Sequence, residues 1–219
     1  MRTTALLAAA AAVCAAPQAS RAGTGVPDDQ LWSELDVVAP LSTNTTITGI
    51  GQARFSETLP NPTLTALGAD FNYKDGDWTF GAGYRHQVTG NRQGNEINVT
   101  QVALVMATYM RRFGRNTLAF RARFEDTLTA ASDPWRARLR AEYRYATENL
   151  GPVSYLFTND EVFYQFSDSE FFRNRFQAGA NLILGKRTNL RLYYQRQDSR
   201  NANPGAINAL GVLAVVTLD

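Results

Sequence analysis

The sequence predicts an all-β protein, an antiparallel transmembrane β-barrel of ten to twelve strands, and three observations lead to that prediction. Polar and apolar residues alternate over long stretches, as in WRARLRAEYRYA at 135–146. A period of two is typical of a strand whose two faces meet different surroundings. Segments of this kind recur along the chain with no credible helix between them, and short and long connections alternate between the segments.

The first residues of the chain resemble a secretory signal peptide. A positive charge precedes the apolar run ALLAAAAAVCAA, and Ser20 and Ala22 suit a cleavage site that needs small residues. The run is too short to cross a bilayer. We therefore expect a signal peptide over 1–22, an N-terminal segment over 23–30, and a single outer-membrane barrel domain over 31–219.

The charge and cysteine content exclude several classes of function. The chain has 22 basic and 20 acidic residues, and Arg2 and Arg21 lie in the leader, so the mature chain would carry no net charge. Only Lys74 and Lys186 are lysines, which does not fit a lysine-rich tail for nucleic acid. The single cysteine, Cys14, also lies in the leader, so the mature chain would hold neither disulfides nor thiolate metal sites.

Eleven segments carry strand character. No stretch after the leader holds about 18 consecutive apolar residues, which excludes a transmembrane helix. In chain order the segments are 31–39, 44–55, 63–73, 78–88, 96–111, 117–127, 135–146, 153–166, 173–184, 189–199 and 207–218. Bacterial barrels usually have an even number of strands, so we expect ten or twelve. The first segment is then either an extra stave beside an unidentified twelfth strand or a piece tucked into the barrel.

The alternation assigns each side chain to one of two faces. In WTFGAGYRHQV, Phe80 and Ala82 share one face, opposite Arg85 and Gln87. Aromatic residues near the strand ends of the apolar face suit the girdle of a membrane barrel. They are Trp78, Tyr84, Trp135, Tyr143, Tyr145 and Tyr194.

The connections indicate which end of the barrel is which. Short turns are predicted at 74–77, 113–116, 148–152 and 185–187, and longer loops at 56–62, 89–95, 128–134, 167–172 and 200–206. Short periplasmic turns and longer outer loops are expected of an outer-membrane barrel.

One segment breaks the alternation. In YLFTNDEVFYQF, Tyr155 and Phe157 have the opposite parity to Val162 and Tyr164. If all four aromatic and aliphatic side chains face outward, the strand must contain an extra residue. This predicts a β-bulge near Asn159.

Arginines dominate the polar face, and with three carboxylates they form a predicted lumen network. Its members are Arg121, Arg123, Glu125, Arg136, Arg138, Arg140, Glu142, Arg144, Glu161, Arg175 and Arg191. An unpaired charge inside a narrow barrel is costly unless water or a carboxylate satisfies it. One interpretation is a structural network that fills the lumen. The other is a narrow passage or pocket that favours anions, because forked guanidinium donors outnumber the carboxylates.

The sequence predicts neither a catalytic site nor a metal site. The lone histidine, His86, has the parity of the lipid face, and Val88 stands where an outer-membrane phospholipase would carry its serine. A base without a nucleophile in reach does no acyl chemistry. Asp70, Asp75 and Asp77 lack the loop pattern of a calcium site, and KDGD is better explained as a hairpin turn. We expect no cofactor.

Three stretches resemble an uncharacterised bacterial outer-membrane family, domain of unknown function 2490. They are LWSELDVVAPLS, YLFTNDEVFYQF and NRFQAGANLILGKRTNLRLYYQRQ, and the likeness extends over residues 30–218. Within it, Asn159 and Glu161 match the strand with an NE pair, although Asp160 separates them, and Arg175 follows Asn174 in the later strand. The resemblance implies a membrane barrel but implies no activity and no catalytic residues.

Together these observations predict an integral protein of the cell outer membrane with a structural, narrow-pore or envelope-maintenance role and no enzymatic activity. We expect it to be a monomer that contacts outer-membrane lipid and lipopolysaccharide, and the barrel-assembly machinery during insertion, but no nucleic acid. Two alternatives stay open. One is an outer-membrane enzyme that modifies lipid, and the other is a soluble periplasmic β protein that binds a ligand, since a sandwich or lipocalin-like barrel also alternates.

Overall fold

Eleven β-strands close into one barrel in the computed structural model, which describes residues 27–56, 62–90, 97–129, 135–200, 202 and 205–219. In chain order they are β1 (Asp28–Pro40), β2 (Thr45–Ser56), β3 (Leu64–Asp75), β4 (Trp78–Gly90), β5 (Ile97–Phe113), β6 (Asn116–Thr127), β7 (Trp135–Ala146), β8 (Val153–Gln165), β9 (Glu170–Ile183), β10 (Thr188–Ser199) and β11 (Ala206–Thr217). The predicted signal peptide lies outside the described residues. Those residues include no helix capable of crossing a bilayer.

The strands agree in order with the eleven predicted segments, and the prediction of ten to twelve strands is confirmed. The expectation of an even number is wrong, because segment 31–39 is neither tucked inside nor accompanied by a twelfth strand in the described chain. It belongs to β1, which begins at Asp28. The barrel wall therefore includes part of the segment 23–30 that was expected to precede it.

The barrel closes through a parallel pair. β1 pairs with β11 in parallel, with Trp32 opposite Gly211 and Val37 opposite Val216, and pairs with β2 in the antiparallel sense. Every other neighbouring pair is antiparallel. An odd number of strands requires this arrangement. If the strands alternate in direction along the chain, the first and the eleventh run the same way, so the pair that closes the ring is parallel.

The connections define two ends of the barrel. One end, which we call the turn end, carries connections 41–44, 76–77, 114–115, 147–152 and 184–187. The other end, which we call the loop end, carries connections 57–63, 91–96, 128–134, 166–169 and 200–205. At the turn end, Gly76 and Gly114 have φ of 58° and 61°, which suits the tight hairpins predicted at KDGD and FGRN.

The alternation of short and long connections fails at one place. The loop predicted at 167–172 is shortened to 166–169, because pairing of β8 with β9 continues to Gln165 and Glu170. Of the other predicted loops, residues 57–61, 91–96, 130–134, 201 and 203–204 lie outside the described residues.

The outer surface of the barrel is apolar. Large side chains such as Leu67 and Ile97 are 71% and 74% exposed, and the six aromatic residues predicted for the apolar face all lie on it. Between them, the inward positions of the same strands carry arginine, carboxylate and amide side chains. The barrel is thus the inverse of a soluble one, with its polar side chains inside.

The prediction of a bulge near Asn159 is wrong. The register of β8 with β9 is unbroken from Tyr155 to Phe163, and shifts occur only at the two ends of this stretch. The alternation continues through it, so Tyr155 and Phe157 point into the lumen with Asn159. The prediction failed because it assumed that aromatic side chains face outward, whereas the guanidinium of Arg191 lies 4.1 Å from the centre of the Phe157 ring.

Closure through a parallel pair predicts a specific cross-link. In a chain with Cys14 replaced, Val37→Cys and Val216→Cys should form a disulfide under mild oxidation, since the two residues are register partners and neighbouring strands lie within disulfide reach. Non-reducing electrophoresis of the unfolded protein would detect the large closed loop. Val37→Cys with Leu210→Cys is the control, because Leu210 pairs with Leu31 instead. A cross-link in the control alone would contradict the parallel register.

Candidate functional site

The charged side chains of the predicted lumen network come from strands β6 to β10. Alternate residues of each strand face inward, and this places all members of the predicted network on the lumen side. They are Arg121, Arg123 and Glu125 on β6, Arg136, Arg138, Arg140, Glu142 and Arg144 on β7, Glu161 on β8, Arg175 on β9 and Arg191 on β10.

Glu161 is one of three lumen carboxylates that are each shared by three arginines. Its side chain is only 3% exposed. Its oxygens accept from Arg121 Nη2 at 2.7 Å and from Arg138 Nη2 at 2.8 Å, and Arg175 Nη1 lies 3.5 Å away. A buried carboxylate is tolerable only when such donors replace the water it has lost. Glu161 therefore holds β6, β7 and β9 together around β8.

Glu125 forms a second centre that Arg138 joins to the first. Arg138 Nη1 donates to Glu125 Oε1 at 2.7 Å while its Nη2 serves Glu161. Arg136 and Arg123 reach Glu125 at 3.5 and 3.6 Å. One guanidinium thus bridges two buried carboxylates, with one of its two terminal nitrogens bonded to each.

Glu142 is the third centre. Arg144 Nε donates to it at 2.5 Å, Arg191 Nη2 lies at 3.2 Å and Arg140 Nη2 at 4.0 Å. Asn159 donates from the neighbouring strand at 3.4 Å. Three carboxylates therefore serve eight arginines in this part of the lumen, and Arg140 is the least closely paired of the three around Glu142.

Aromatic rings also lie against guanidinium groups that are paired with carboxylates. Arg138 lies over Phe163 at 4.5 Å and Arg144 over Tyr155 at 5.3 Å from the ring centres. A cation over a ring face gains electrostatic stabilisation without losing its positive charge. The positive excess itself comes from the eight arginines that share three carboxylates, and the rings help to stabilise it.

A second group of lumen charges, on β1 to β4 and on β9, was not part of the predicted network. It consists of Glu34, Asp36, Arg54, Asp70, Arg85 and Arg173. Arg85 holds Asp70 with two nitrogens, each 2.7 Å from a carboxylate oxygen. The alternation in LWSELDVVA and GQARF could have identified three of them, Glu34, Asp36 and Arg54, had segment 31–39 been assigned to the wall. Arg173 has the same parity as Arg175 in the predicted segment 173–184, so the alternation could have identified it as well.

The remaining candidate residues do not come together. Asp70 lies inside, whereas Asp77 lies at the turn end and pairs with exposed Arg111 at 3.3 Å. No group of potential metal ligands is found in the described ranges of the chain. His86 faces outward in a groove that Ser33 also lines, and the Ser33 hydroxyl donates to the backbone oxygen of Ala53 at 3.2 Å.

The network leaves a polar cavity in the lumen of about 330 Å³. Ten arginines and five carboxylates line it, so its walls carry a positive excess when all these groups are ionised. Trp32, Phe163 and Tyr193 contribute the aromatic part of the lining. Chemically, the cavity offers forked hydrogen-bond donors to an anion, and its described lining includes no serine, threonine, cysteine or histidine and no group of metal ligands.

Comparison with known proteins identifies the family. Residues 29–208 match the family model described as protein of unknown function (DUF2490). The chain belongs to this family. Among solved structures, the DUF2490 barrel is similar to the anion-selective porin from Comamonas acidovorans, with 14% sequence identity and a TM-score of 0.39 over 82% of this chain and 54% of the porin chain. The chain thus spans about half the length of that porin. A comparison with curated proteins finds no match.

The lumen network predicts a large cost for removing a shared carboxylate. Glu161→Gln should lower the free energy of unfolding by about 3–5 kcal/mol, because it leaves buried arginines without their counter-charge. The measurement is urea unfolding of the detergent-folded barrel. Glu148→Gln is the matched control, since Glu148 pairs with Arg115 on the exposed surface and such pairs contribute about 0–1 kcal/mol. Equal effects of the two changes would contradict the assigned role of Glu161.

Proposed function

We propose that this DUF2490 protein is an integral outer-membrane β-barrel whose lumen is a narrow passage that admits small anions, with no enzymatic activity. The observation that carries the proposal is the inverted distribution of polarity: large apolar side chains cover the outside of a closed barrel, and buried ion pairs occupy its inside. That distribution suits lipid outside and a polar lumen within.

The outer surface favours the membrane over the soluble alternative. A soluble β protein that exposed so many contiguous large apolar side chains would associate or aggregate. Trp78 lies at the turn end of β4 and Trp135 at the loop end of β7, and they are 46% and 43% exposed. Aromatic residues that anchor a protein at the two membrane interfaces are placed in this way. Lipid and lipopolysaccharide are therefore the contacts we propose for this surface, with the barrel-assembly machinery acting during insertion and the mature protein a monomer.

The lumen favours small anions over other solutes. The cavity is narrow and its walls hold twice as many arginines as carboxylates. Low-dielectric walls focus such an excess of charge along the lumen and raise the local concentration of anions. A structural role in which the network only fills the lumen is the second candidate, because Glu161, Glu125 and Arg138 are tightly bonded to one another.

The enzymatic alternative has less support. His86 shares its outer groove with Ser33, but the Ser33 hydroxyl is engaged with a backbone oxygen at 3.2 Å. Acyl chemistry needs a nucleophile within hydrogen-bond reach of its base. The lining of the groove is otherwise mainly apolar, with Leu35, Leu67 and Val88, which suits contact with lipid chains.

Membrane insertion predicts unequal tolerance of one substitution at two leucines. Leu139 in β7 and Leu150 in a turn-end connection are 53% and 54% exposed. Leu139→Arg should cost about 2–4 kcal/mol of folding free energy, because the charge would enter the hydrocarbon, whereas Leu150→Arg should assemble normally. Heat-modifiable migration and outer-membrane fractionation measure assembly. Equal tolerance, or recovery of the folded chain from periplasmic extract without detergent, would contradict the proposal.

The charged lumen predicts the conductance. In planar bilayers the protein should show a small conductance that prefers anions, because the arginine excess lines a narrow cavity. Arg140→Gln should move the reversal potential toward that of cations, since Arg140 lies 4.0 Å from its nearest carboxylate and its charge is poorly compensated. Arg111→Gln, an exposed outer-surface change, should have no such effect. Cation preference of the unmodified protein would contradict the proposal, and the absence of any current would favour the structural role.

A further inference from the structure

Trp32 forms a fixed aromatic surface inside the barrel near the loop end. It is 5% exposed, whereas Trp78 and Trp135, the other two tryptophans, lie on the outer surface. The Trp32 indole N–H donates to Gln30 Oε1 at 2.6 Å, and Gln30 Nε2 donates in turn to Asp28 Oδ2 at 2.7 Å. These bonds hold the indole in place from within its own strand.

Two guanidinium groups lie against this ring. Arg54 Cζ is 3.7 Å and Arg175 Cζ is 5.0 Å from the ring centre. No carboxylate of the described residues forms an ion pair with Arg54, and its buried Nε has no hydrogen-bond partner there. Arg175 Nη1 lies 3.5 Å from Glu161, and its Nε and Nη2 donate to the neutral Gln197 Oε1 at 3.3 and 2.9 Å. Both positive charges are therefore held by an aromatic face and are poorly neutralised.

Arg173 adds a third charge of the same kind. Its Nε donates to Ser199 Oγ at 2.9 Å, and its guanidinium lies 5.2 Å from the Phe172 ring centre and 5.5 Å from that of Phe163. It forms no ion pair with a carboxylate in the described part of the chain. Arg54 feels the positive charge of both Arg173 and Arg175, so like charges gather at this point of the lumen.

Like charges held together in this way need a counter-ion. Bringing guanidinium groups together out of bulk water is unfavourable unless an anion offsets their repulsion. Contact with an aromatic ring occupies the face of a guanidinium, whereas the N–H donors lie in its plane. Among the described residues, Arg54 Nε has no acceptor, and Arg173 uses Nε alone, toward Ser199. An anion with several oxygens accepts from such forked donors with good geometry.

We propose that Arg54, Arg173 and Arg175, supported by Trp32, form a binding site for a small oxyanion of the phosphate or dicarboxylate class. All three arginines line the same cavity of about 330 Å³. At about 30 Å³ for each water molecule, that space exceeds what one such anion requires. Arg54 lies two residues from the loop-end limit of β2, and Trp32, Arg173 and Arg175 lie within five residues of the loop-end limits of β1 and β9. The site is therefore near the loop end of the lumen.

This inference rests on the anion-favouring lumen of the proposed function and gives it a defined binding point. A site of this kind would slow the passage of oxyanions relative to chloride, because a solute that binds must also dissociate before it moves on. The lumen would then discriminate among anions by their oxygens as well as by charge.

The test uses Trp32 as the reporter. In the full chain with Trp78→Phe and Trp135→Phe, folded in detergent, titration with inorganic phosphate should change the Trp32 emission in a saturable manner, since an anion would move the guanidinium groups on its ring. Succinate should behave likewise, and chloride at equal ionic strength should not. An equal, non-saturating response to chloride would overturn the proposal, because it would show screening alone.

Substitutions locate the site. Arg54→Gln should weaken phosphate binding by about tenfold or more, the loss expected for a hydrogen bond to a charged group. Arg173→Gln should act in the same direction, and Arg111→Gln, on the outer surface, should leave binding unchanged. Undiminished binding in both lumen variants would overturn the proposal. If those variants do not fold, calorimetric titration of the unmodified barrel with phosphate decides the matter, and no heat of binding would overturn it.

The two proposals can fail separately. Phosphate binding is measured in detergent and needs neither outer-membrane location nor ion flow. Binding without conductance would reject the passage and keep the site, whereas anion conductance without saturable phosphate binding would reject the site and keep the passage.

Discussion

The interior of this barrel depends on one guanidinium. Arg138 donates to Glu125 and to Glu161 at 2.7 and 2.8 Å, and both carboxylates are almost fully buried. Backbone hydrogen bonds join each strand only to its neighbours, whereas this bridge and the arginines around it connect β6, β7, β8 and β9 at once. The ionic bonds of the lumen thus fix which side chains meet in the interior, and they set how much space is left between the walls.

The charges are distributed unevenly around that space. β1 contributes Glu34 and Asp36, and β3 contributes Asp70, whose charge Arg85 offsets. β6 to β10 contribute most of the arginines. One wall is therefore relatively acidic and the facing wall strongly basic, so a field crosses the lumen in addition to the one that runs along it. A solute with separated charges inside the lumen would be oriented by this field.

The sequence predicted most of the wall, because the two faces of every strand meet different surroundings and the period of two survives in the residues. It could not predict closure, since the partner of β1 depends on contacts between Trp32 and Gly211 at opposite ends of the chain. It misjudged β8, where Phe157 looked like an outward residue but supports Arg191. For the site, parity identified the residues of the network but could not show that Arg54 lies without a carboxylate, because that depends on distant strands.

The parallel seam also bears on how the barrel forms. Ten of the eleven neighbouring pairs join consecutive strands, whereas the seam joins β1 to β11, and the Asn208 amide donates to Asp29 across a separation of 179 residues. Closing so long a loop carries the largest entropic cost in the fold. Until it closes, the chain is an open sheet with two unpaired edges, each able to recruit another chain. Closure of the seam is thus what makes the molecule self-contained, because it leaves no unpaired strand edge in the described barrel.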